Sequence, residues 1–232
     1  MNYRNEVENY INCFAQNKLI VAGKLFQEKL NFIPEATYYK ILERLMKENR
    51  LIRVSKGIYT RPKTTRFGET GLNESSIITH YAKMNKKSGM MIGYGLYNKL
   101  GLTTQISKKT ELYSNLITEE KKVFNNIQIK RINMSLNKSK TDIIEAFETL
   151  QHYYEIEDIN FSAFREYIKK VANLYNDSTA NEVLGKIKYK KRTIAFLQMI
   201  LNYFGVQNTL SSYLTNTSTY KIPKMEEINE AE

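Results

Sequence analysis

Residues 37–61 read TYYKILERLMKENRLIRVSKGIYTR, and the hydrophobic period changes partway through. Tyr38, Ile41, Leu42 and Leu45 share one face of a helix expected over about 35–49. Thr37, Lys40, Arg44 and Lys47 fall on the opposite face and lie within one quadrant, so the polar face reads as basic only. After Asn49-Arg50 the period drops to two. Leu51–Val54 and Gly57–Arg61 read as short strands, with Ser55-Lys56-Gly57 as the hairpin turn and Gly57 free to take positive φ.

Two more helices are expected upstream. One covers 3–17, with Val7, Tyr10, Ile11 and Phe14 at helical spacing. The other covers 21–30, with Ala22, Leu25, Phe26 and Leu30 on one side. Asn31-Phe32-Ile33 would turn the chain and Pro34 would enter the first turn of the third helix. Three helices followed by a basic hairpin is the order of a winged helix-turn-helix, which puts its third helix in the major groove. Thr37, Lys40, Arg44 and Lys47 would then reach phosphates or base edges. Arg53, Lys56 and Arg61 would set the wing on the backbone or in the minor groove. The alternatives are a solvated charged face or a winged helix that binds protein.

Composition supports an anionic partner. The 232 residues carry 35 Lys plus Arg against 24 Asp plus Glu, a net charge of +11. The excess is concentrated: residues 35–66 hold 9 basic and 3 acidic side chains. Glu226, Glu227, Glu230 and Glu232 form an acidic tail expected to fray. Cys13 is the only cysteine, which excludes an internal disulfide and a cysteine zinc cluster. His80 and His152 are far apart in sequence, so no histidine metal site is expected. No apolar run is long enough to span a membrane, and residues 1–10 lack the apolar core of a signal peptide. A cytoplasmic protein without cofactor or metal is expected.

The fold class expected is α+β: a winged helix-turn-helix over 1–66, a linker over 62–73, and a mixed, mainly helical domain over 74–232. In that second part a helix is expected over 74–86 and another over 94–100. Strand-like stretches cover 111–116 and 127–132, separated by a hairpin-like spacer at 117–126. Helical patterns follow from 141, through Phe161 to Tyr175, and over 193–204. No P-loop, dinucleotide fingerprint or nucleophile elbow is present, and no catalytic residue is assigned. One arrangement resembles a metal-dependent nuclease site: Glu111 on one strand, with Gln128 and Lys130 on the next. It lacks the usual leading Asp, and strands often carry such residues on their solvent faces. Lys186, Lys188, Lys190, Lys191 and Arg192 form a second basic run, either a solvated loop, a phosphate-facing patch or a dock for an acidic surface.

Three stretches together carry a family resemblance: LERLMKENRLIRVSKGIYTRPK (42–63), FGETG (67–71) and GYGLYNKLGLTTQISKKTELYSN (93–115). The chain resembles antitoxins of the AbiEi type, from type IV (AbiE abortive infection) toxin–antitoxin and phage-defence operons. The resemblance covers about 1–135. It implies a non-enzymatic transcriptional repressor whose winged helix binds inverted repeats in double-stranded operator DNA. It also implies a C-terminal antitoxin domain that opposes a nucleotidyltransferase-like toxin without a stable complex. By position, Lys40, Arg44, Lys47, Arg53, Lys56 and Arg61 would carry operator binding. A winged helix fused to a nuclease-like domain is the alternative.

Overall fold

The computed structural model describes residues 2–66, 68–70, 74–83, 87–215 and 218–231. The chain is a mixed α+β protein, roughly half helical. It divides into two compact units, Met1–His80 and Tyr81–Glu232. No helix among the described residues is long and apolar enough to cross a membrane.

The first unit runs α1 (Tyr3–Asn12), β1 (Leu19–Val21), α2 (Ala22–Leu25), α3 (Glu35–Lys47), β2 (Ile52–Ser55) and β3 (Ile58–Thr60). Beyond α2 the helix widens into a π turn, Phe26–Leu30. Val7 and Ile11 of α1, Leu25, Leu30 and the apolar face of α3 form one buried cluster with Ile20 and Leu51. Truncating one of these leucines would cost about 2–5 kcal/mol. Tyr38 is fully buried, and its hydroxyl donates to the Ala22 carbonyl at 3.1 Å, so α3 is tied to α2 without an orphaned polar group.

Several expectations change in this unit, beginning with the first helix, expected over 3–17, which ends at Asn12. Leu19–Val21 is a strand, β1, which pairs antiparallel with β3 and gives the sheet order β1-β3-β2. Residues 62–73, expected as a linker, carry a small antiparallel hairpin, β4 (Lys63–Thr65) and β5 (Gly68–Thr70). Threonine-rich sequence favours extended backbone there. Of the FGETG stretch, Phe67 and Gly71 lie outside the described residues. After β5 comes α4 (Glu74–Ile78), continued by a π turn over Thr79–Lys83; the rest of the expected 74–86 helix, 84–86, lies outside the described residues.

The second unit holds β6 (Gly89–Ile92), α5 (Tyr94–Lys99), β7 (Thr110–Ser114), β8 (Lys121–Phe124) and β9 (Ile127–Arg131). The helices α6 (Lys138–Gln151), α7 (Phe161–Leu174), α8 (Asp177–Leu184), α9 (Lys191–Tyr203) and α10 (Met225–Glu230) follow. The sheet order is β6-β7-β9-β8. The spacer at 117–126 is not a simple hairpin loop. It contains β8, which pairs antiparallel with β9 across a turn where Asn125 takes φ 49°, while β7 and β9 run parallel. Helix α6 is the spine of the core, with every residue from Ile143 to Leu150 buried. Asparagines start α6, α7 and α8: the side chains of Asn137, Asn160 and Asn176 accept from backbone N–H groups at 2.9–3.0 Å. Of the acidic tail, expected to fray, Glu226, Glu227 and Glu230 lie in α10, and Glu232 lies outside the described residues. Met225 and Ile228 are buried, and Arg165 Nη1 donates to the carbonyls of Ile228 (3.2 Å) and Ala231 (2.8 Å).

Candidate nucleic-acid interface

Pro34 precedes the first residue of α3 rather than entering its first turn, and its carbonyl accepts from Thr37 and Tyr38 N–H groups at 2.9 and 3.0 Å. The far end closes with Asn49 at φ 56°. Asn49 N–H donates to Met46 O (3.0 Å) and Arg50 N–H to Leu45 O (2.9 Å). This is a Schellman closure, with Asn in the left-handed position. It swings the chain directly into β2. A bulge between Arg53 and Ser55 then bends the strand before the turn at Lys56-Gly57, where Gly57 has φ 72°. The Gly57 carbonyl accepts from Ala22 N–H at 2.9 Å, which fixes the hairpin against the start of α2.

On this frame two groups of basic residues stand out in the first unit. Lys40, Arg44 and Lys47 of α3 and Arg53 and Lys56 of the hairpin are exposed, with Thr37 half-buried beside them. None of these five cations has an ion pair among the described residues. Arg4 and Arg50 differ. Arg4 meets Glu8 at 2.6 Å and Glu48 at 2.7 Å, and Arg50 meets Glu8 at 2.8 Å. Hydrogen bonds from Arg4 and then Arg50 hold the Glu8 carboxyl below the usual carboxylate range. The face of α3 is not purely basic, because exposed Glu43 borders it between Lys40 and Lys47.

Arg61 departs from the expected wing contact. Its Nη1 donates to the carbonyls of Asn12 (3.0 Å), the last residue of α1, and Phe14 (2.7 Å), just past it, and its own carbonyl accepts from Asn17 N–H at 3.1 Å. It latches the α1–β1 connection to the end of β3. No sequence signal marks this role, since free carbonyls at a helix end leave no residue pattern.

In the second unit the structure brings Glu111, Gln128 and Lys130 together. Glu111 and Gln128 are register partners on β7 and β9. Lys130 Nζ lies 3.1 Å from Glu111 Oε1, and Gln128 Nε2 donates to the same oxygen at 3.3 Å. The one carboxylate is thus already paired with the lysine. Among the described residues there is no group of three His, Cys, Asp or Glu able to hold a metal ion. Sequence reasoning missed the buried polar layer beneath it. The Tyr113 hydroxyl donates to Glu148 Oε1 at 3.0 Å, and burial pushes the Glu148 carboxyl up. The second basic run forms the approach to α9: Lys186, Lys188, Lys190 and Lys191 are exposed and Arg192 is half-buried.

A family model described as "Family of unknown function (DUF6088)" matches residues 11–171, more than half of the chain. The chain belongs to this family. The DUF6088 match begins near the end of α1 and ends within α7, so it includes α3 and the hairpin and excludes Lys186–Arg192. No curated protein matches the chain. The RV2827C protein from Mycobacterium tuberculosis, a solved structure, is similar to it over 89% of this chain and 78% of that chain, at 10% identity and a TM-score of 0.41.

Proposed function

We propose that the chain is a winged-helix repressor of the AbiEi type that binds operator DNA through α3 and the β2–β3 hairpin. The observation that carries this reading is the exposed, unpaired set Lys40, Arg44, Lys47, Arg53 and Lys56, spread over one helix and the adjoining hairpin. It is supported by the element order helix–strand–helix–helix–strand–strand and by the sheet order β1-β3-β2, an order that a winged helix would have. Helix α3 would enter the major groove and the hairpin would rest on the backbone. Cations without internal partners release counterions when they meet phosphates, and this supplies affinity. Thr37 and Arg44 can reach base edges, which supplies sequence preference. The Arg61 latch positions the hairpin.

On the same reading the second unit is the antitoxin part. It opposes a nucleotidyltransferase-like toxin without a stable complex, and the protein is not an enzyme. The partner DNA is an inverted repeat upstream of its own operon, and the setting is phage defence in the cytoplasm. The test uses the full chain. A Lys40→Ala/Arg44→Ala/Lys47→Ala variant should fail to repress its own promoter. It should still rescue cells that make the toxin from an unrelated promoter. Loss of both activities in a folded variant would show that repression and neutralisation share one surface.

The contact of Glu111, Gln128 and Lys130 favours one second reading, a nuclease-like second unit. Magnesium-dependent DNA cleavage that disappears in Lys130→Ala would establish it; no cleavage by the wild-type chain would remove it.

A further inference from the structure

The approach to α9 carries charge that the fold does not use. Lys186, Lys188, Lys190, Lys191 and Arg192 place five cations within seven residues, and none has an ion pair among the described residues. Among the described residues their side chains make one hydrogen bond, from Lys191 Nζ to Thr215 Oγ1 at 2.5 Å. Four other lysines of this unit are matched: Lys99 meets Glu145, Lys130 meets Glu111, Lys138 meets Asp142 and Lys140 meets Glu182. Other cations without an ion pair among the described residues, such as Lys169 and Lys170, come at most two together, not five in seven residues. The position raises the cost. Lys190 is the N-cap of α9 and Lys191 and Arg192 open its first turn, where the helix dipole is already positive. No acidic residue stands in that turn and no side chain caps it. The segment is nonetheless well anchored. Tyr189 is buried and stacks on Phe147 with ring centroids 4.7 Å apart, and Lys190 N–H donates to Gln151 Oε1 at 3.1 Å. Five like charges are therefore held on a fixed segment at the positive end of a helix.

We propose that this cluster is a second phosphate-binding surface, and that its partner is the backbone of duplex DNA. The demand for a polyanion comes from the cluster itself; the choice of duplex DNA rests on the proposed function of the first unit. The contacts are sequence-independent, because charges on a loop and a helix start match phosphates rather than base edges. The cluster adds affinity to whatever specificity α3 provides. It lies outside the residues that the DUF6088 model matches.

The experiment measures binding against salt concentration for the full chain on two duplexes, its own upstream region and a scrambled sequence. The variant is Lys186→Gln/Lys188→Gln/Lys190→Gln/Lys191→Gln. A milder one, Lys186→Gln/Lys188→Gln, changes only exposed residues before α9, and circular dichroism and melting check both folds. The salt slope should shrink by about 0.9 for each phosphate that the variant no longer neutralises, equally on the two duplexes. The corresponding lysine-to-arginine variant, which keeps the charge, should restore it. Unchanged slopes on both duplexes in folded variants overturn the proposal. So does weakened toxin rescue with DNA binding intact, which would identify an acidic protein surface as the partner, or a loss seen only with single-stranded RNA. If the α3 variant leaves binding unchanged while the cluster variant weakens it, the first unit's assignment fails and this one stands.

Discussion

Arg4 and Arg44 lie on neighbouring helices of the same small unit and carry the same charge. Arg4 is engaged by Glu8 and Glu48, and Glu8 also takes Arg50. Arg44, with Lys40, Lys47, Arg53 and Lys56, is left unmatched at the surface. A count of basic residues cannot separate the two groups, but their partners do. Matched cations hold α1 to the region after α3, whereas unmatched ones leave their field at the surface, where the proposed function puts the DNA.

The sharpest way to break this contrast is to remove the unmatched group. Lys40→Ala/Arg44→Ala/Lys47→Ala should abolish specific operator binding, with the loss of each base interaction costing about 1–3 kcal/mol, read by mobility shift at fixed salt. A folded triple variant with unchanged affinity would mean that the face is only solvated.

Arg61 tests which group a residue belongs to. Its hydrogen bonds to Asn12 and Phe14 carbonyls place it with the matched cations. Arg61→Ala should therefore lower thermal stability by about 1.5–3 kcal/mol, the scale of a hydrogen bond with a charged partner. The salt slope of DNA binding should stay nearly as in the wild type. A reduced slope at unchanged stability would return Arg61 to the interface.

Glu148 offers a third test, in the second unit. Burial raises its carboxyl pKa in the folded chain. An acid raised on folding gives its full contribution below the unfolded value. That contribution is lost as pH rises through the folded one. Glu148→Gln should flatten this part of the stability–pH curve and raise the melting temperature at neutral pH, provided that Gln still accepts from Tyr113. A melting temperature that falls equally at all pH values would show a packing role only.

The smallest effect is expected at Glu8. Its folded pKa is depressed, so its contribution is present above the ordinary carboxylate range and fades as pH falls through the folded value. Glu8→Gln should remove that acid-side loss, unmatch Arg50 and leave Arg4 with Glu48 alone. Non-specific DNA affinity should then rise slightly, while operator preference is unchanged. A drop in operator preference would tie the matched arginines to recognition.

Much of the first unit was legible in sequence, because α3 and the hairpin differ in period and each is punctuated: Asn49 ends the helix and Gly57 makes the turn. β1 was not legible. Leu19–Val21 runs straight into the apolar pattern of α2, and its partner β3 is far along the chain. β8 was hidden for a related reason. Its burial alternates only weakly, and Lys121, Lys122 and exposed Val123 read as a polar loop until β9 pairs with them. The fold of α10 was signalled by Met225 and Ile228 three apart, but the surrounding glutamates masked it. At the candidate interface, helical spacing grouped Lys40, Arg44 and Lys47, which are all exposed on α3. It could not show that Arg61 turns to α1, nor that Glu111 and Lys130 neutralise each other, because both depend on contacts between distant segments.

Footprinting the purified full-length chain on the DNA upstream of its own gene tests the central assignment most directly. Protection of an inverted repeat by the wild type, lost in the Lys40→Ala/Arg44→Ala/Lys47→Ala variant at equal concentration and salt, is the expected result. Uniform weak protection without a defined site, or the same footprint from the folded triple variant, would contradict operator recognition by α3.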